Sequence, residues 1–212
     1  RQISPAVSPA LHTPIAGESS VTGLPIAQGL YMPVLVQISN AEGTEKAGRK
    51  TVKAAGLGKA APWGGQFADV VYESLLWELG QTRLTFLFSD SLAQGQPASV
   101  GPVRSIRHGT VLIREEWQGA VVYGGGLQRC NDGIAQRLWA LETDGSGRAI
   151  RMQGANLIQR TFGGRIQGVK APDNLDVNAV TVQNVVLEKC TAQPRPFLFF
   201  DNNPYGRYER AD

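Results

Sequence analysis

Val70-Val71-Tyr72-Glu73-Ser74-Leu75-Leu76-Trp77 and Arg83-Leu84-Thr85-Phe86-Leu87-Phe88 are two apolar runs, rich in β-branched and aromatic residues, with Gly80-Gln81 between them. Two such runs separated by a turn pair are the sequence form of a β-hairpin. With Gly80-Gln81 as the turn, Glu78 falls opposite Arg83 across the ladder, a favourable cross-strand pair. A helix over Asp69 to Leu79 is the rival, because Leu, Glu and Trp are tolerated in helices. The strand reading is preferred, and it places the chain among sheet-containing folds.

Further elements lie on both sides. Upstream, Met32 to Asn40 is a short apolar run bounded by turn formers and reads as a buried strand closed by Asn40. Downstream, Ser105 is a plausible N-cap for a helix over Ile106–Trp117, whose Ile106, Thr110, Ile113 and Trp117 fall on one stripe. Ala120-Val121-Val122-Tyr123 is another buried strand, ended by Gly124-Gly125-Gly126, and a second helix follows over Asp132–Glu142. Residues Ala155 to Thr161 suit a short helix, and Phe197-Leu198-Phe199-Phe200 a final strand. Val177 to Lys189 is contested: its valines favour strand, while Ala179, Val182, Val186 and Cys190 fit one helical face. Strands and helices interleave, so the expected class is α/β: a layered sandwich with a mixed β-sheet, a β-hairpin and packed helices.

The 212 residues suffice for one domain with a real core, and 42% apolar content is ordinary for a globular chain. Residues 1–20, with Pro5, Pro9 and Pro14 among small polar residues, read as an extended leader; residues 21–212 read as a single domain. The net charge is +3 with a pI near 9.0, and much of the excess lies between Lys46 and Lys59. No long basic run is interleaved with aromatics, so nucleic acid is a poor candidate partner. No run of about 18 apolar residues offers a transmembrane helix. The chain begins at Arg1 rather than Met, so a removed export signal stays open. Cys130 and Cys190 form no metal-ligand cluster and read as buried thiols, with a disulfide as the alternative in an oxidising compartment.

Gly101-Pro102-Val103-Arg104-Ser105-Ile106-Arg107-His108 carries the strongest functional signal. It sets Arg104, Arg107 and His108 at a helix start, the positive end of the dipole, where cations cost stability unless an anion offsets them. A helix start offers N–H groups to an anion, and arginine offers a planar fork. Gly124 and Gly125 at a strand end allow close backbone approach, and Glu73 with Arg83 form an acid–base pair on the hairpin. The competing reading is that Arg104 and Arg107 brace the fold against Glu73, Glu78 or Asp69. No nucleophile elbow, zinc motif, cofactor fingerprint or paired catalytic carboxylate is recognisable, so neither a catalytic residue nor a cofactor is assigned.

In order, Thr22-Gly23-Leu24-Pro25, the strand ending at Asn40, Ala68-Asp69-Val70-Val71-Tyr72-Glu73, Thr82-Arg83, Gly101 to Arg107, Gly124-Gly125 and Asn156-Leu157 resemble the blocks of one family. It is the YerB-like bacterial lipoproteins, the domain of unknown function numbered 3048. The resemblance covers about Val21 to Phe200, and it favours helix for Val177 to Lys189. It implies an exported domain, lipid-anchored to the bacterial cell membrane, with no assigned activity. Ser39 stands where the family often has an acid, and a second family segment would begin at about residue 196. The expected function is extracytoplasmic binding of an anionic cell-wall component or an envelope protein, through Glu73, Arg83, Arg104, Ser105, Arg107, Gly124, Gly125 and Asn156. The alternative is a wall-acting hydrolase using Glu73 or His108 as general acid or base.

Overall fold

The computed structural model describes residues 17–19, 21–23, 25, 31–40, 62–76, 82–90, 99–127, 131–152, 162–165 and 173–194. Most of the leader, residues 41–61, Glu78, the expected Gly80-Gln81 turn, Cys130, the 155–161 helix with Asn156, and the 197–200 strand lie outside them.

The strands are β1 (Val34–Ser39), β2 (Val70–Leu75), β3 (Thr82–Phe88), β4 (Ala120–Tyr123), β5 (Ala149–Arg151), β6 (Gly163–Arg165) and β7 (Leu175–Val177). The helices are α1 (His108–Trp117), α2 (Gly133–Thr143) and α3 (Ala179–Leu187). Five strands form one sheet in the order β2-β3-β1-β4-β5, and β6 pairs with β7. The β2-β3 and β3-β1 pairs are antiparallel, whereas β1-β4 and β4-β5 are parallel. The sheet is therefore mixed, as expected from the sequence.

Side chains alternate across the sheet and define two apolar layers. Leu35, Leu87, Val121 and Tyr123 meet Val111 and Trp117 of α1 and Ala135 and Leu138 of α2. On the other face Val34, Val36, Ile38, Phe86, Phe88 and Val122 meet Ala179, Val182 and Val186 of α3. β1 is buried along its whole length because helices cover both of its faces.

The expected hairpin is present, with a different register. Arg83 lies opposite Ser74, and Glu73 opposite Leu84, so the register position across from Arg83 is taken by Ser74. The observed pairing is offset from the expected one by four residues. An even offset keeps every side chain on its face, so the alternating pattern alone does not distinguish the two registers.

Helix α1 also corrects an expectation. It starts at His108 with Arg107 as N-cap, so Ser105 is not the cap and Ile106 precedes the helix. The preceding residues are held by sheet-like bonds instead. Helix α2 starts one residue later than expected, because Asp132 is its N-cap and accepts from the amides of Ile134 and Ala135. Of the contested region Val177 to Lys189, Ala179–Leu187 is helix, as the resemblance favours; Val177 ends β7, and Asn178 caps α3 by accepting from the Thr181 amide. Cys190 is a half-buried free thiol that donates to the Ser146 carbonyl at 3.5 Å. Among the described residues, no helix is long and apolar enough to cross a membrane.

Candidate functional site

Residues Val100 to Ile106 form a strap that wedges between β1 and β4. Those strands pair only as far as Val36 with Val122. Beyond that point the Ser39 amide donates to the Pro102 carbonyl at 3.1 Å, and the Arg104 amide to the Gln37 carbonyl at 2.8 Å. On the other side the Gly124 amide donates to the Arg104 carbonyl, and the Ile106 amide to the Gly125 carbonyl, both at 2.8 Å. Val100 and Val103 bond to Val177 and Leu175 of β7. The strap thus satisfies the backbone groups that the diverging strands leave open.

The wedge lies where the chain turns in opposite directions: β1 leads toward β2 and β3, and β4 leads to β5. In open α/β sheets the crevice at such a reversal, beyond the carboxyl ends of the strands, is the usual ligand position. Here the strap fills the crevice, and its end delivers Arg107 to the start of α1. Gly126 has φ +95°, and a Cβ there would lie 2.5 Å from the Ile106 carbonyl oxygen and 3.1 Å from Arg107 Nη1. Only glycine lets this loop approach the strap so closely.

The cations of the motif have separate roles. Arg104 Nε lies 3.2 Å from Asp173 Oδ1, and the two side chains are only 12% and 7% exposed. Arg104 therefore braces the fold through Asp173, a carboxylate that the sequence does not single out. His108 Nε2 lies 2.8 Å from Asp132 Oδ2 at the surface. The α2 cap thus also faces His108 at the start of α1. Asp132 is held below the usual carboxylate range, first by the Ala135 amide and then by His108. Arg107 is partly exposed, and its Nη1 donates to the Ile106 carbonyl at 2.9 Å. Helix α1 has no acid in its first turn and no side-chain cap.

Glu73 and Arg83 do not form a pair. Their neighbours in register place Glu73 on the α3 face with Leu84 and Phe86, and Arg83 on the opposite face with Thr85 and Leu87. Glu73 is exposed and accepts from Asn40 Nδ2 at 2.9 Å and from Thr82 Oγ1 at 2.6 Å. Arg83 is 8% exposed and lies between Ser39 and Ser74 in the ladder. Two residues along β3, Thr85 faces Thr110 of α1 at 3.5 Å, and Thr110 also donates to Gln37. Arg83 and the first turn of α1 therefore share one end of one sheet face. The structure brings Arg104, Ser105, Arg107, Gly124 and Gly125 together, sets Arg83 on the face that α1 covers, and leaves Glu73 behind the sheet.

Other motif residues fasten the hairpin. Asp69 Oδ2 accepts from the Ser89 amide and hydroxyl at 2.6 and 2.7 Å. Tyr72 accepts from Trp117 Nε1 at 2.9 Å. Sequence reasoning missed Asp173 and the Gln37–Thr110–Thr85 contact, since no local spacing links residues so far apart in the chain. Among the described residues, no group of three or more His, Cys, Asp or Glu side chains could hold a metal ion.

A mixed α/β domain with a strap-filled crevice and a cationic helix start is the class that fold and site define. The family described as "Protein of unknown function (DUF3048) N-terminal domain" matches residues 50–190, and the chain belongs to it. Among solved structures it is similar to the YerB protein from Bacillus subtilis, with 25% identity and a TM-score of 0.58. The match covers 87% of this chain and 55% of YerB, so the chain spans about half of that protein's length. Comparison with curated proteins gives no match.

Proposed function

We propose that this chain is an extracytoplasmic, non-enzymatic binding domain, lipid-anchored to the bacterial cell membrane, that recognises an anionic cell-wall component. The observation that carries this reading is the start of α1. Arg107 is the N-cap, the first turn contains no acid, and no side chain caps the helix. An anion placed there gains from the dipole, from helix-start amides and from the guanidinium. Gly124, Gly125 and Gly126 keep the adjoining backbone low.

Arg104 is not part of the recognising surface in this reading, because its charge is directed at Asp173. The hydrolase alternative draws no support from the geometry. Glu73 is exposed on the far face, and His108 is directed at Asp132 across an open surface. A phosphorylated wall polymer fits the site better than a neutral glycan, since phosphate matches both the arginine fork and the helix start.

Equilibrium binding of poly(glycerol phosphate) tests the proposal. Wild-type protein is expected to bind more tightly at 20 mM than at 200 mM salt. Arg107→Ala is expected to lose most of that affinity while melting close to the wild-type temperature. Equal binding by wild type and Arg107→Ala would overturn the assignment of the site.

A further inference from the structure

We infer that the outer edge of β2 is a docking rail for an extended segment of a second polypeptide, one carrying a basic residue flanked two positions away on each side by apolar ones. Strand β2 pairs with β3 over all six of its residues without interruption. Among the described residues, no strand pairs with its other edge. Exposed edges of this kind are normally guarded by lysine, proline, a bulge or a very short strand. Val70-Val71-Tyr72-Glu73-Ser74-Leu75 has no lysine, proline or bulge, and its one charged guard is Glu73, which repels an acidic strand but not a basic one.

The exposed side chains supply the second observation. Val71 is 49% and Leu75 74% exposed, and Phe67, in the turn just before β2, is 41% exposed. They are three of the four large apolar side chains that stand exposed among the described residues, so the exposure is concentrated at one edge. Val71, Glu73 and Leu75 share the sheet face of α3, but α3 packs over β1 and β4 and leaves this edge uncovered. Apolar exposure gathered in one place is the usual mark of an interaction surface.

Charge selects the occupant. Glu73 lies between Val71 and Leu75, and Asn40 and Thr82 hold its Oε1. No hydrogen bond to Oε2 is present among the described residues. A strand added to this edge would place a side chain directly opposite Glu73, where an opposite charge is favourable and a like charge is not. A second copy fits poorly. The two antiparallel registers with the greatest overlap and matching faces set Glu73 opposite its own counterpart or opposite Val71. Neither gives the carboxylate a cation. A partner strand with a lysine or arginine at that position, and apolar residues two places to each side, complements all three exposed side chains at once. This is strand addition, in which main-chain bonds give affinity and alternate side chains give specificity. It uses the opposite sheet face from the anion site and stands independently of it.

The test titrates isotopically labelled protein with two peptides of alternating pattern, read by NMR. One carries valine, lysine and valine at every second position; the other has glutamate in place of the lysine. The lysine peptide is expected to shift the amide signals of 70–75 and to bind about fivefold more tightly than the glutamate peptide. Glu73→Lys is expected to reverse that preference, and Val71→Lys to abolish binding of both, while neither changes the melting temperature much. The inference is overturned if neither peptide perturbs 70–75, or if Glu73→Lys leaves the preference unchanged. It is also overturned if sedimentation shows a wild-type dimer that Val71→Lys dissociates, since a second copy would then occupy the edge.

Discussion

Replacing Arg104 with alanine separates the bracing arginine from the recognising one. Its Nε is 3.2 Å from Asp173 Oδ1, and both side chains are almost wholly removed from solvent. The substitution leaves a buried carboxylate without its cation. Removing one partner of a buried pair costs about 3–5 kcal/mol, because the remaining charge keeps its desolvation penalty. For a domain of this size each kcal/mol lowers the melting temperature by about 2–4 °C, so a loss of at least ~6 °C is expected. Differential scanning calorimetry measures it directly. Asp173→Ala should cost a similar amount, and the double variant much less than the sum, because the second change removes the stranded charge. A melting temperature for Arg104→Ala within about 1 °C of wild type would refute the reasoning, as would strict additivity in the double variant.

Three other perturbations are informative. Gly126→Ala is expected to cost more than about 1 kcal/mol in chemical denaturation, since φ +95° and the nearby Ile106 carbonyl both oppose a Cβ. Tyr123 is buried and donates to Glu142, and burial with that carboxylate raises its phenol well above the ordinary range; Tyr123→Phe should cost about 1–3 kcal/mol. Asp132 has a lowered pKa in the folded state, so its stabilisation is present above the unfolded value near pH ~3.9 and is lost as pH falls through the folded value. The melting-temperature gap between wild type and Asp132→Asn should therefore be larger at pH 5 than at pH 2.5.

The hairpin, the central strand and the helices were legible because each has an apolar pattern that burial enforces. β1 reads as a continuous apolar run since both its faces are covered. The hairpin register was not legible: an offset of four residues preserves both faces, and only the turn distinguishes the alternatives. The start of α1 was misplaced because Ser105 resembles a cap. Long-range backbone bonds from Gln37, Gly124 and Gly125 instead hold residues 102–106 extended. The three-residue strands β5, β6 and β7 are too short to show a period. At the site, the motif revealed the cation cluster but not its division of labour. That division depends on Asp173 and Asp132, which lie on other elements. Glu73 and Arg83 have complementary charges in sequence, but the register of the ladder sets them on opposite faces of the sheet.

The central claim is that an anion docks at the start of α1 beside the glycine loop, and NMR titration of labelled protein with poly(glycerol phosphate) tests it most directly. The account predicts that the largest amide shifts fall on Arg107, His108, Gly109 and Thr110 and on Gly124, Gly125 and Gly126, and that they disappear in Arg107→Ala. Saturating shifts confined to any other surface, or shifts at these amides that persist in Arg107→Ala, would contradict it.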